Sequence, residues 1–350
     1  MQIKYGLFSL FIMLFLMNAC KSDFKVGADY KDVTVVYGLL SISDTAQYIK
    51  VTKGYYDETK DNLLLAQIAD SIYYQDLQAK LERIKNGQVI QTINLARVDA
   101  NLEGFAKDSG VFANTPNYVY KTKETLDPSS TYKLVMTNMA NGKVISAETG
   151  IIDVAAPAFS VESPISKFSI LFVDQINSFN TFSWFTPPNA AFFDVNIRFW
   201  YQEKNSVTGA SYHLYKDLPV IKNVYSSGGK VTAKMDNDEF FRALNSALGT
   251  PPTGFKRYVD TPDVLFLAGG LELRNYIDVI NAQGGITNDQ LKPVYTNIAS
   301  NGVIGKEAFG VFSTRAIKPV LSVRFSNTSI DSILYGSYTK NLGFVGISSQ

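Results

Sequence analysis

Short runs in which apolar and polar residues alternate recur along this chain, and stretches with a helical period are few. Leu77, Ala79 and Leu81 alternate with Gln78, Lys80 and Glu82, a period of two that gives a strand one buried face. Val33–Leu40 is β-branched and apolar, and Ser41–Asp44 closes it. In Gln47–Thr52, Ile49 and Val51 alternate with Tyr48 and Lys50. Asn86-Gly87 predicts a type I′ hairpin turn into Val89–Val98, because both central residues of that turn need positive φ. Strands over Tyr118–Thr122 and Tyr132–Asn138 follow, and Asn141-Gly142 turns into Lys143–Val154. About seven strands with frequent turn signals predict an immunoglobulin-like sandwich. Asn62–Asp70 interrupts the series with helical spacing, capped by Asp61 or Asn62, and reads as an insertion packed over one sandwich edge.

Ala155-Ala156-Pro157 marks the boundary between a first domain over 32–155 and a second over 156–350. In the second, Ser169–Val173, Thr181–Phe185, Phe192–Glu203 and Ser211–Tyr215 read as strands. Ser227-Gly228-Gly229 turns into another at Lys230–Lys234. Asp236–Leu248 is the best helix: acids fill its first turn, Phe240, Phe241, Leu244 and Leu248 form one stripe, and Gly249 with Pro251 and Pro252 stops it. Val264–Ala268, Leu271–Asn281 and Gly310–Phe325 return to strand character, with a turn at Asn281–Asn288. The predicted fold class is mainly β, with two β-sandwich-like domains. The first is immunoglobulin/fibronectin III-like, and the second is irregular with one packed helix near 236–248. No short-period repeat points to a solenoid or propeller.

The amino terminus departs from this pattern. Lys4 precedes the apolar run Leu7–Met17, and Asn18-Ala19 offers a small-residue cut site before Cys20. The run is too short for a membrane span, which needs roughly 20 apolar residues, and fits the core of a signal peptide. Leu16-Met17-Asn18-Ala19-Cys20 resembles the lipobox of bacterial lipoproteins. Met17 stands where Leu is commonest, and Asn18 where a small residue is usual. The resemblance implies that residues 1–19 are a lipoprotein signal peptide and that Cys20 carries lipid, with 20–31 as a tether. The alternative is an ordinary secretory leader followed by a chance cysteine. Cys20 is the only cysteine of the 350 residues, so no intramolecular disulfide can form. A triacylated cysteine supplies the several chains that stable anchoring needs.

Composition narrows the function classes. Hydrophobic residues at 46% and charged residues at 19% predict a packed core and not disorder. The 20 Tyr and 23 Phe favour β-structure. A net charge of +1 without a basic block argues against a nucleic-acid partner. His213 is the only histidine, so a Ser–His–acid triad would have to use it, and it lies in a strand-like aromatic stretch. Phe182-Ser183-Trp184 lacks the glycines of a nucleophile elbow. One His and one acylated Cys leave no ordinary zinc site.

Asp236, Asp238 and Glu239 cluster where a helix start explains them, and they lack the Gly and closing Glu of a calcium loop. Asp57-Glu58 and Asp260 with Asp263 fall in loops. No catalytic residue, metal site or cofactor follows from the sequence. In Asp194–Tyr201, Val195, Ile197, Phe199 and Tyr201 share one strand face, and Asp194, Asn196, Arg198 and Trp200 share the other. Trp200 and Arg198 are therefore the candidate binding surface, since an exposed aromatic can stack on a sugar or anchor a protein. The alternative places Trp200 under the 236–248 helix or the first domain. Trp184 is expected in a core or between the domains.

Leu126–Tyr132 resembles the corner before a late strand in fibronectin type III-like domains, where a Tyr hydroxyl closes the turn. Val35–Leu40, Asp44–Lys50, Ala69–Tyr74, Tyr295–Ile298 and Gly310–Arg315 resemble Bacteroidetes envelope lipoproteins of a domain-of-unknown-function family. That resemblance implies an envelope location at the outer membrane and immunoglobulin-like domains, and it carries over no catalytic residue. The expectation is a lipid-anchored, non-enzymatic binding or accessory module for an outer-membrane protein, a secreted protein or a glycan. The alternatives are a carboxylate-dependent glycan hydrolase and a structural envelope-assembly component.

Overall fold

Alternating burial along the strands builds two apolar layers that share one long strand. The computed structural model describes residues 32–54, 61–155, 157–162, 167–168, 179–282 and 294–346. Cys20, the leader, the tether, Asp57-Glu58, the strand expected at Ser169–Val173 and the Gly284-Gly285 turn lie outside them.

The first half contains β1 (Thr34–Leu40), β2 (Gln47–Lys53), helices α1 (Asn62–Ala66) and α2 (Ala69–Ile72), β3 (Leu77–Lys85), β4 (Gln88–Asn94), β5 (Ala96–Asp99), β6 (Tyr118–Thr122), β7 (Thr131–Asn138) and β8 (Val144–Gly150). Asn86 and Gly87 take φ values of 53° and 75°, as the type I′ turn between β3 and β4 requires. The run Val89–Val98 is two strands and not one. β4 pairs with β3, β5 pairs with β6, and the chain changes sheet at the buried Leu95. The Asp127 amide donates to the Tyr132 hydroxyl at 2.8 Å, and Tyr132 is fully buried, which gives the fibronectin-like corner. Asp61 caps α1 by accepting from the Leu63 amide at 2.8 Å.

The second half contains β9 (Lys167–Phe168), β10 (Phe179–Phe185), β11 (Phe192–Asn205), β12 (Ser211–Tyr225), β13 (Lys230–Asp236), α3 (Asn237–Ala247), β14 (Phe255–Val259), β15 (Asp263–Gly269), α4 (Leu271–Ala282), β16 (Ala299–Ser300), β17 (Val303–Ile304), β18 (Ala308–Val320), β19 (Arg324–Phe325) and α5 (Asn327–Tyr335). Asp236 caps α3, accepting from the Asp238 amide at 2.9 Å. Leu271–Asn281 is a helix and not a strand. Leu271-Glu272-Leu273 alternates locally, but Leu273, Tyr276, Ile277 and Ile280 follow the helical spacing. α5 also packs into the second core, so more than the one expected helix contributes.

Nine strands form one sheet in the order β12-β11-β15-β18-β1-β2-β6-β5, with β14 also on β11. Six form a second sheet, β17-β16-β8-β7-β3-β4. The first sandwich closes between the six-stranded sheet and the β1, β2, β5 and β6 end of the nine-stranded one, around Leu40, Ile49, Leu81, Tyr132 and Leu134. The second core lies between the β11, β12, β15 and β18 end and a layer made by the β10–β13 ribbon with α3 and α5. Trp184, Phe193, Phe199, Phe240 and Phe266 fill it.

The two cores exchange residues across the halves of the chain: Ile152 packs into the second core. Ile298, Ala308 and Phe312 return to the first core, and β1 pairs in parallel with the start of β18. A parallel pair needs no local turn between its strands, so the alternating pattern cannot announce it.

Candidate functional site

β11 is long because its alternation holds over the whole run, and both of its faces are used. Val195, Ile197, Phe199 and Tyr201 are buried, and Phe199 meets Phe240 of α3 with ring centroids 6.2 Å apart. Arg198 and Trp200 point the opposite way and stay half-exposed. The helix therefore does not cover Trp200. The register pairs Arg198 with Asp217, Trp200 with Tyr215 and Gln202 with His213, which brings one face of β11 against one face of the edge strand β12.

These side chains form a ladder. The Arg198 guanidinium bridges Asp217 with two bonds of 2.8 and 2.9 Å and lies 4.4 Å above the Tyr215 ring. The Asp217 hydrogen bonds push the Arg198 pKa up. Tyr215 meets Trp200 at 4.7 Å, and Trp200 stacks on His213 at 4.9 Å with 21° between the planes. Trp200 and His213 each meet an acid, as Arg198 does. Trp200 Nε1 donates to Asp263 Oδ2 at 2.8 Å, and His213 Nε2 lies 3.1 Å from Asp260 Oδ2. Asp263 also accepts from the Ser322 amide at 2.8 Å, which fixes its orientation. Tyr215 and His213 leave about half of their surface open, 47% and 54%. Rings held this way lose little freedom when a ligand stacks on them.

The structure thus unites Trp200 and Arg198 with His213, Asp260 and Asp263, which the sequence left in separate stretches. Of the other singled-out residues, Ser183 sits on β10 with its hydroxyl 2.9 Å from that of Thr232, remote from His213 in the sheet order. Asp236 serves the cap of α3, and Asp238 pairs with Arg242 at 3.2 Å. Trp184 is fully buried in the second core. Among the described residues no group of three or more His, Cys, Asp or Glu is placed to hold a metal ion.

A second concavity escaped the sequence reading. A cleft of about 590 Å³ opens at the seam of the two sandwiches, with Thr131, Glu148, Thr149 and Gly150 on one wall and Ser226, Ser227, Glu272 and Arg274 on the other. Asn189 holds the seam: its φ is 67° and its side-chain amide donates to the Ile151 carbonyl at 2.9 Å. Any side chain at Gly150 would strike it, because a Cβ there would lie 2.6 Å from the Asn189 amide group. Burial pushes the Glu272 pKa up, and the Tyr295 hydroxyl donates to this carboxylate. Glu148 is exposed on the facing wall. No local motif announces this pair, because Glu148 lies on an ordinary alternating strand and Glu272 opens a helix whose first residues read as strand.

No family model matches the chain, and no curated protein matches it. Among solved structures, the chain is similar at 7% identity to one described as the crystal structure of CBD12 from CALX1.2, over 81% of this chain and 99% of that one. The TM-score of that superposition is 0.13, so the β-rich architecture is read from this chain's own strands and not from the likeness.

Proposed function

We propose that this protein is a lipid-anchored binding module of the cell envelope. It is held at the outer membrane through Cys20, and it recognises a surface glycan on the open face of β11 and β12. The leader and lipobox-like end support the anchor. The single observation that carries the binding role is the Arg198–Tyr215–Trp200–His213 ladder. It offers ring faces for stacking beside carboxylates and a guanidinium, the mixture that sugar rings and hydroxyls use. The ladder lies away from α3, so the face that binds is separate from the face that folds.

Trp200→Ala and Tyr215→Ala test this reading. Each removes a half-exposed ring, and each is expected to weaken binding to isolated envelope polysaccharide at least about tenfold, a loss of ~1.4 kcal/mol. Affinity electrophoresis reads the effect, and unchanged circular dichroism excludes unfolding. Retained affinity in both variants removes the site. Capture of an outer-membrane protein by crosslinking, lost in the same variants, would replace the glycan with a protein partner.

The cleft favours a second reading, a carboxylate-dependent glycan hydrolase. Burial of Glu272 suits a general acid, and Glu148 on the other wall is the candidate second carboxylate. That chemistry needs carboxyl groups about 5–9.5 Å apart around the bond. Release of reducing ends by the purified protein, abolished in Glu272→Gln, would establish it. No turnover on any envelope glycan leaves the binding reading alone.

A further inference from the structure

The described chain enters the first sandwich at one pole, and large apolar side chains are exposed beside it. Thr34 at the start of β1 lies opposite Lys53 at the end of β2, and Tyr118 at the start of β6 lies opposite Asp99 at the end of β5. The chain therefore leaves the sheet after Lys53 and after Asp99 at the end where it arrives from Asp32, and residues 61–76 and 100–117 belong to these two connections. Asp32 is fixed there: the Tyr74 hydroxyl donates to it at 2.5 Å, and the Asn141 side chain at 3.0 Å. Tyr74 follows α2 almost directly.

The two connections lie side by side. The Ala113 amide donates to the Ala66 carbonyl at 2.8 Å, and Asn101 Nδ2 donates to the Asn114 carbonyl at 2.8 Å. Gln67 Nε2 also donates to the Val111 carbonyl. Leu63, Leu64 and Ile68 from one connection, and Leu102 and Val111 from the other, are nevertheless exposed, with Leu102 at 88% and Leu64 at 65%. Large apolar residues scattered singly need no explanation, but five on adjoining segments at one pole form a patch. Asp61, Asp70 and Asp108 border it in sequence, but Lys53 and Lys107 lie on the same segments, so charge does not select an acidic or a basic surface and apolar insertion must drive any docking.

From these observations we infer that this pole is a membrane-docking surface, seated in the interface of the bilayer that carries the Cys20 lipid. The inference rests on the anchored reading for its geometry. The segment Cys20–Asp32 extends at most about 40 Å, so an anchored molecule keeps this pole close to the lipid at all times. A short tether raises the local concentration of the second contact to the millimolar range, so weak insertion of a few leucines is enough. Docking would fix the orientation of the module and direct the second sandwich away from the bilayer.

The single cysteine makes the test clean. In the mature chain from residue 20, Cys20→Ser removes the lipid, and Leu64→Cys or Leu102→Cys then provides one site for an environment-sensitive fluorophore. Val207→Cys, 88% exposed in the turn between β11 and β12, is the remote control. With zwitterionic phosphatidylcholine vesicles, labels at 64 and 102 are expected to shift to the blue and the label at 207 to stay unchanged. Leu63→Asp with Leu64→Asp should lower vesicle partition at least tenfold. Leu102 is so exposed that its variant keeps the fold and reports even if changes in α1 disturb it. No shift at 64 and 102, or an equal shift at 207, overturns the inference. Palmitate labelling of the wild-type chain reports the anchor separately. Absent labelling with the blue shift retained would overturn the anchor and keep the docking pole.

Discussion

Gly310 is the point at which the shared strand can be tested. It lies in β18 beside Val36 of β1, with φ at 108°. A Cβ at Gly310 would lie 2.0 Å from the Val36 carbonyl oxygen and 2.9 Å from its carbon. Both are backbone atoms of a paired strand, so relief requires β1 and β18 to separate. Positive φ costs a non-glycine residue about 1–3 kcal/mol, and forcing a group into filled space adds about 1–3 kcal/mol. Gly305 supplies the control, with φ at 71° but nothing nearer than the Thr296 methyl at 3.6 Å. Gly305→Ala should therefore cost about 1 kcal/mol, and Gly310→Ala about 4 kcal/mol. Urea unfolding of both variants, followed by the fluorescence of the buried Trp184, gives the difference directly. A Gly310→Ala value within about 1 kcal/mol of Gly305→Ala would refute the claim that β1 and β18 are locked together at this contact.

Arg257 is buried, bonds Glu203 at 2.8 Å and donates to the Gly249 and Leu342 carbonyls at 2.6 and 2.9 Å. Arg257→Met strands Glu203 and should cost about 3–5 kcal/mol, against about 1–2 for Glu203→Gln, in thermal unfolding. Equal losses would refute the ranking. Burial holds the Lys50 pKa down to about 8, while its amine donates to the Tyr73 hydroxyl at 2.6 Å and to Asn117 Oδ1 at 2.5 Å. Between about pH 8 and 10 the unfolded chain keeps the Lys50 proton and the folded chain releases it, so stability should rise with pH across that window. The rise should vanish in Lys50→Met, and a wild-type curve that falls over the same range would refute the assignment.

Particular elements show what was legible. Asn86-Gly87 is a turn because two adjacent positive φ values demand those residues, and this holds wherever the hairpin sits. The faces of β11 follow from a period of two, which sets Trp200 and Arg198 opposite Phe199, whereas packing alone decides that no helix covers them. The first three residues of α4 alternate and predict a strand, whereas its helical spacing shows only over the full 12 residues. The ladder needed Asp260, Asp263 and His213 beside Trp200, and the pairing register of β11 with β12 and β15 supplies that proximity.

The sequence by itself determined the elements that depend on neighbours a few residues apart: hairpins, strand faces, the caps of α1 and α3, the tyrosine corner and the expectation of an anchored leader. Only the tertiary structure decided that β1 and β18 join two cores into one sheet, that a cleft with Glu148 and Glu272 forms at their seam, and that exposed leucines gather where the chain enters. Local propensity acts over a turn or a strand, whereas parallel pairing, a seam and a pole bring together residues hundreds of positions apart. What selects those contacts is the packing of whole layers, which no short window of sequence contains.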